Sequence, residues 1–385
     1  MKSLELFAGA GGLGLGLHAA GFRPHAVIER DSYCCDTIRE NKRKGFGGVR
    51  AWPLVQGDVR EVRFDVFADK LDLVSGGPPC QPFSLGGKHR AYDDARDMFP
   101  QAIRAVRDIR PRAFIFENVK GLTRDRFRNY LEYIKLQMEH PDVTIRPKQD
   151  WTDHLALLER HHTSASSGSG LRYNVVTRVL NAADYGVPQK RHRIFFVGFR
   201  SDLGIEWAFP EATHSEQALL WNQASGDYWD RHRVPTAERT LRRGSSSLFK
   251  PAAKPWRTVR DALFGLPEPR IKEHAKFLNH RLQQGARPYP GHTGSALDGP
   301  AKALKAGVHG VPGGENMLLQ PNGDVRYFSV REAARIQTFP DDFAFHGTWS
   351  ETMRQLGNAV PVHLATVVGR SVQQQLLRTT SGYIQ

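Results

Sequence analysis

Over its first 120 residues the chain alternates short apolar runs with stretches of helical spacing, and this alternation restricts the possible folds. The runs SLELF (3–7), HAVIE (25–29), LDLVSG (71–76) and AFIFEN (113–118) are separated by GLGLGLHAAG (12–21), DSYCCDTIRENKRK (31–44) and an amphipathic stretch from Asp97 to Asp108. Apolar runs of this length, bounded by turn residues and separated by helices, read as βαβ units around a parallel sheet buried on both faces. The expected architecture is a doubly wound α/β domain. A further pair of apolar runs, YNVVTRVL (173–180) and RIFFVGF (193–199), brackets the turn-like ADYGVPQKR and is expected to extend the sheet at one edge.

Order then fades and returns. HHTSASSGSG (161–170) is small and polar and reads as a flexible surface loop without chemistry of its own. From 201 to 326 periodicity gives way to Pro, Gly, Trp, Arg and His, which marks a second, smaller and irregular domain. Helical spacing resumes at SVREAARIQTF (329–339), with Ser329 as N-cap and Glu332 as its capping-box partner. A last helix, roughly Val362 to Leu377, is expected to pack back on the first domain. The expected domains are thus 1–200 with 327–385, and 201–326.

A chain of 385 residues exceeds the roughly 250–300 residues that one core usually sustains, in keeping with two domains. Its formal net charge of +14 is spread along the length and makes nucleic acid the first partner to test. Only Cys34, Cys35 and Cys80 occur, so neither a disulfide framework nor zinc-ligand cysteine spacing is available. A reducing, cytoplasmic setting without a metal is expected. No apolar run approaches the ~18 residues of a membrane span, so no membrane partner is expected.

The chemistry-bearing residues fall at the carboxyl ends of the predicted parallel strands, the edge at which open α/β sheets bind ligands. FAGAGGLGLGL (7–17) follows the first strand and opens a helix, so its glycines let backbone N–H groups approach a ligand. Glu29 ends the second strand, 20 residues after Gly9, where an acid can hydrogen-bond a ribose hydroxyl. A tight turn and a solvated carboxylate would leave the same trace. Asp58 follows the third strand. In GGPPCQPFS (76–84) two prolines fix their own φ and stiffen the turn that presents Cys80. Glu117 and Asn118 end AFIFEN. Singly, a cysteine of this kind is usually packing and a strand-end Glu a cap; together they place a thiol and a carboxyl beside a nucleotide-type turn.

FAGAGG, GGPPCQPFS, ENV (117–119), QKRHRIFFVG (189–198), REAARIQTFPDDF (331–343) and QLGNAVP (355–361) resemble, in order, the motif series of the compact bacterial DNA cytosine-5 methyltransferases. The resemblance covers the chain except about 201–319. It implies an S-adenosylmethionine-dependent catalytic domain of Rossmann-like fold beside a target-recognition domain. It also implies methyl transfer to carbon 5 of a cytosine flipped out of duplex DNA, in a restriction-modification or orphan role.

Cys80 would be the nucleophile that adds to cytosine carbon 6, Glu117 the acid at ring nitrogen 3, and Arg193 the residue that stabilises the activated base. Pro79, Asn118, Gln189 and Arg191 would support the site, although Arg191 in a basic turn suits phosphate as well. Phe7, Gly9, Gly11, Glu29, Asp58 and Asn358 would hold S-adenosylmethionine, with Glu29 on the ribose and Asp58 on the adenine edge. LGGKHRAYDDARD (85–97) would be a moving lid whose Lys88, Arg90 and Arg96 meet DNA phosphates. The partners so implied are double-stranded DNA and a cognate restriction endonuclease acting on the same site without a stable complex, the protein itself being a monomer. The same chemistry on a tRNA cytosine is the alternative; that branch carries a Cys-Phe-Thr segment, absent here.

Overall fold

The computed structural model describes residues 1–79, 97–164, 170–239, 249–270, 276–290, 293–306 and 314–381. Cys80, Lys88, Arg90, Arg96 and the expected lid, apart from its last residue, Asp97, lie outside the described residues.

Strands β1 (Lys2–Leu6), β2 (Arg23–Glu29), β3 (Leu54–Gln56), β4 (Leu73–Gly76) and β5 (Ala113–Val119) alternate with helices α1 (Gly12–Ala19), α2 (Ser32–Arg43) and α3 (Phe99–Ile109). α4 (Arg128–Glu139) and α5 (Trp151–Thr163) follow, then β6 (Tyr173–Asn181) and β7 (His192–Arg200). These strands form one seven-stranded sheet in the order β3-β2-β1-β4-β5-β7-β6. β1 to β5 are parallel, while β7 runs antiparallel to β5 and to β6. The late strand pair thus extends the sheet at one edge, as its apolar runs predict.

Strand alternation sends successive side chains to opposite faces. Phe114 and Phe116 join one apolar cluster with Phe99, Val106 and Ile134 from α3 and α4. Ala113 and Ile115 join another with Leu13 and Leu17 of α1 and Leu364, Val368 and Val372 of the last helix. Both faces are covered, which is why these strands read as unbroken apolar runs.

Among the described residues between 201 and 327 lie two small sheets and three short helices. β8 (His214–Ser215) pairs with β9 (Lys254–Pro255), and β10 (Ser295–Ala296), β11 (Met317–Leu319) and β12 (Val325–Tyr327) form the second sheet. The helices are α6 (Glu216–Ser225), α7 (Asp227–Arg231) and α8 (Val259–Leu263). Trp229 and Trp256 are buried with Leu219, Tyr228 and Val234, so both are core residues. Trp207 packs on Phe199 and Phe209 and donates to Ser371 Oγ at 2.9 Å. Val259, Ala301, Leu304 and Leu318 share an apolar cluster with Ala8, Val27 and Ile38.

α9 (Val330–Ile336) opens with the expected capping box between Ser329 and Glu332. α10 (Trp349–Asn358) precedes α11 (Val362–Ser381), which is a turn longer than expected and lies along α1. The approach is close: a Cβ on Gly16 would stand 2.3 Å from Ala365 Cβ. One expectation fails. His161, His162 and Thr163 belong to the last turn of α5 and not to a loop, because the Asp150 N-cap and the apolar residues Leu155 and Leu158 carry the helix through them.

Candidate active site

Parallel register aligns the carboxyl ends of the strands. Val55, Ile28, Leu6, Gly76 and Phe116 form one continuous row of paired residues across β3, β2, β1, β4 and β5. One residue beyond that row stand Glu29, Phe7, Gly77 and Glu117, so residues distant in sequence reach a common rim.

At the α1 end, Phe7 takes a positive φ of 54°, and Gly9 and Gly11 take 57° and 87°. Such φ values suit glycine and are costly for other residues. A Cβ on Gly9 would meet nothing within 4 Å, whereas one on Gly11 would stand 2.9 Å from the Trp52 ring. Gly9 therefore borders open space, while Gly11 is needed for packing. Glu29 Oε2 accepts from Gly9 N–H at 2.7 Å, and its Oε1 accepts from the Arg30 and Asp31 amides at 2.8 and 2.7 Å. Three of the roughly four acceptor positions of a carboxylate are thus in use, and one remains for a ligand hydroxyl.

Asp58 lies beside this turn. It caps a 3₁₀ turn through Arg60 N–H and pairs with the guanidinium groups of Arg60 and Arg30 at 2.6 and 3.3 Å. The Arg60 side chain, first among these partners, holds its carboxyl well below the usual range, so Asp58 is an ionised acceptor. Asn358 is exposed at the end of α10, just before Ala359 and Val360, which lie against Gly12 at the start of α1.

Glu5, missed in the sequence, is buried beneath α1 and accepts from Gly14 N–H at 2.9 Å. Burial pushes its carboxyl up to about 8, the Gly14 amide pulling it back and Glu29 adding to the rise. A charged residue between the two leucines of β1 was the available signal.

At the other end of the rim stand Glu117 and Arg193. Val119 pairs with Arg193 across β5 and β7, so Glu117 is its diagonal neighbour on the same face. Arg193 Nε lies 2.7 Å from Glu117 Oε1, yet this buried oxygen has no well-directed hydrogen bond. The contact is an ion pair that leaves this acceptor unfilled. Burial raises the Glu117 pKa above the usual carboxyl value, opposed by Arg193 and Arg191. Burial likewise lowers that of Arg193, with Glu117 opposing. Each group makes the other's charge tolerable without fully satisfying it.

The turn toward Cys80 is held on both sides. Gly77 leaves only 3.2 Å between its would-be Cβ and Glu117 Oε2, which sets the carboxyl against the start of the Pro78–Pro79 turn. Asn118 Nδ2 donates to Pro78 O at 2.9 Å, and Met98 N–H donates to Pro79 O at 3.2 Å. Asp97, buried, accepts from Phe99 N–H and from Tyr130 Oη. The described chain therefore leaves at Pro79 and returns at Asp97 through anchored points. Cys34 and Cys35 are buried in α2, and burial pushes both thiols up, that of Cys35 to about 12, so neither supplies thiolate near neutral pH.

Gln189 and Arg191 tie this end to Asn358's neighbours. Arg191 is fully buried and donates to Leu304 O at 3.0 Å and Gly357 O at 2.5 Å. Gln189 accepts from Leu304 N–H at 3.0 Å and donates to Gln337 Oε1 at 3.1 Å; Gln337 in turn donates to Leu356 O and Ala359 O. Gln337 stands in the RIQTF motif but reads there only as a helix residue, because a tertiary partner has no local signature.

The sheet, its glycine turn and the acid–arginine pair at one edge define an α/β enzyme of the nucleotide-binding type. The model of the C-5 cytosine-specific DNA methylase family matches residues 1–146 and 160–374. The chain belongs to that family and is a C-5 cytosine methyltransferase, of a class whose methyl donor is S-adenosylmethionine. It is 33% identical over 379 residues to the Type II methyltransferase M.Eco47II of Escherichia coli, covering 96% of this chain and 78% of that protein. It is 30% identical over 379 residues to M.NgoMIV of Neisseria gonorrhoeae, covering 97% of each. Among solved structures, a putative DNA modification methyltransferase from an E. coli prophage aligns over 98% of this chain and 99% of its own with a TM-score of 0.61 at 21% identity. The S. pombe Dnmt2 methyltransferase aligns over 98% and 99% with a TM-score of 0.56 at 17% identity. Both share the fold. No described helix is long and apolar enough to cross a membrane.

Proposed function

We propose that Cys80, Glu117 and Arg193 carry methyl transfer to carbon 5 of a cytosine flipped out of duplex DNA. The observation that supports this most is Glu117: a buried carboxyl with a raised pKa and an unfilled acceptor, set against the turn that leads to Cys80.

Cytosine carbon 5 is a poor nucleophile until a thiolate adds to carbon 6 and converts the ring to an enamine. In this reading Cys80 makes that bond, and the neutral Glu117 carboxyl gives its proton to ring nitrogen 3 as charge accumulates there. Arg193 then stabilises the carboxylate that remains. After methylation, loss of the carbon 5 proton to water and expulsion of the Cys80 thiolate restore the aromatic ring, and ring nitrogen 3 returns its proton to the Glu117 carboxylate. Asn118 and Pro79 fix the turn, and a misplacement of about 1 Å at such a centre can cost roughly 100-fold in rate.

The residues of the rim fit S-adenosylmethionine, which supplies the electrophilic methyl group. Open space beside Gly9, the spare acceptor of Glu29 and the ionised Asp58 are the groups that would hold it, with Phe7, Gly11 and Asn358 shaping the same pocket. We assign target reading to residues 201–326 and the chemistry to 1–200 with 327–385. Lys88, Arg90 and Arg96 are assigned to DNA phosphates, a role that suits the +14 charge. A monomer working on the same site as a cognate endonuclease, without a stable complex, completes the reading.

Bisulfite sequencing of DNA from cells that express the protein, beside cells that express Cys80→Ser, tests it. Protection of cytosine within one recurring short sequence, lost in the variant, is expected. Protection that survives in the variant removes Cys80 from the mechanism, and no protected cytosine in DNA overturns the substrate.

A further inference from the structure

A second cluster of chemistry-bearing side chains lies at the opposite edge of the sheet. Leu171 N–H donates to Asp142 Oδ2 at 2.9 Å, and Tyr173, two residues on, begins β6 opposite Arg200. The neighbouring Phe199 pairs with Ala113, the first residue of β5, whereas Glu117 stands near that strand's other end. The C-terminal end of α4 therefore lies toward the opposite end of the strands from the methyl-transfer site.

Glu139 ends α4, His140 is its C-cap, and His161 and His162 lie in the last turn of α5. His140 Nε2 is 3.0 Å from His162 Nδ1, and Glu139 Oε2 is 3.3 Å from the same nitrogen. All three ligand atoms lie within 4.8 Å of one another. Metal–ligand bonds of about 2.0–2.1 Å in tetrahedral geometry separate ligand atoms by roughly 3.3 Å, close to the two short edges found here.

Hydrogen bonding alone accounts poorly for this arrangement. A single proton on His162 Nδ1 cannot serve both His140 and Glu139. Glu139 is only 8% exposed, and its Oε2 has no hydrogen-bond partner. The Lys135 ammonium approaches the other carboxylate oxygen, Oε1, at 3.6 Å. Moreover, α4 and α5 both bring their C-terminal ends here, and the partial negative charge of a helix C-terminus favours a cation.

We propose that Glu139, His140 and His162 bind one divalent transition-metal ion of the zinc class, with the fourth position left to water. The ion would clip α4 to α5 and take no part in methyl transfer. The expectation of no metal follows the cysteines, and a loop at 161–170 leaves His162 without a place; the last turn of α5 is what brings it to Glu139.

The test uses the full chain carrying Cys80→Ser, so that this thiol does not compete for metal. The metal-free protein is titrated with Co²⁺, followed by Zn²⁺, and unfolding is monitored with and without Zn²⁺. One equivalent of Co²⁺ should bind with the visible absorption of a four-coordinate ion and be displaced by Zn²⁺, and Zn²⁺ should raise the unfolding temperature. His162→Ala, at an exposed position, and the isosteric Glu139→Gln should each weaken binding at least about tenfold, the lower end of what even outer-sphere changes cause. His161→Ala should leave it unchanged. Undiminished binding in both His162→Ala and Glu139→Gln would assign the metal to other histidines and overturn the proposal, as would the absence of one-equivalent binding to the folded protein.

Discussion

Two buried acid–arginine pairs in this molecule are built differently. Arg326 reaches both oxygens of Glu332 through Nη1 and Nη2 at 2.7 Å each, and Glu332 Oε2 also accepts the Ser329 amide at 2.8 Å. Arg193 meets Glu117 at one oxygen, without a well-directed hydrogen bond. The first pair is a brace that closes β12 onto α9. The second keeps an acid partly unsatisfied at a strand end, and its carboxyl is pushed toward the neutral form. Burial is common to both, and Arg326 Nε also lacks a hydrogen-bond partner, so it is how fully the acid's own oxygens are hydrogen-bonded that separates a structural pair from one prepared to act.

The contrast predicts that the two pairs fail in different ways. Glu117→Gln should lower the methyl-transfer rate by about 10²–10⁴-fold, the range of general acid catalysis, with little loss of stability. A tritiated-methyl assay beside a denaturant melt checks it, and a rate within a few-fold of wild type would remove Glu117 from the chemistry. Glu332→Gln should instead cost about 3 kcal/mol of stability by leaving the Arg326 charge buried with only the half-exposed Glu268 as acid partner, while the folded fraction stays active. Equal stability of this variant and wild type would erase the distinction.

A smaller effect concerns the turn that the site depends on. Asn118→Ala should lower the rate by about 10–100-fold through loosening of the Pro78–Pro79 turn, with donor affinity little changed, as read from kcat and KM. A purely structural Asn118 would move stability and leave kcat alone.

The smallest is a dependence on pH. Because the folded-state pKa of Glu117 is raised above the ordinary 4.5, its contribution to stability is fully present below that value. That contribution is lost as pH rises through the folded-state pKa. Wild type and Glu117→Gln should therefore have similar stability in acid, and the variant should become the more stable of the two toward alkaline pH. A constant difference across the range would mean that Glu117 ionises as an exposed carboxyl does.

Much of this is legible in the amino-acid sequence. The parallel strands, the capping box at Ser329 and the rim residues from Phe7 to Glu117 each rest on local signals: apolar periodicity, a cap spacing, a glycine turn, a pair of prolines. Gln337 and the role of Arg191 were not, since the partners of both lie in distant segments. Glu139 and His140 went unread for the same reason, and His162 was read as loop because serine and glycine follow it. The sequence by itself determined which residues end strands and which begin helices, because those choices are made within a few residues. Only the tertiary structure decided which buried acid is fully bonded and which is left wanting, because hydrogen-bond satisfaction depends on groups brought from opposite ends of the chain.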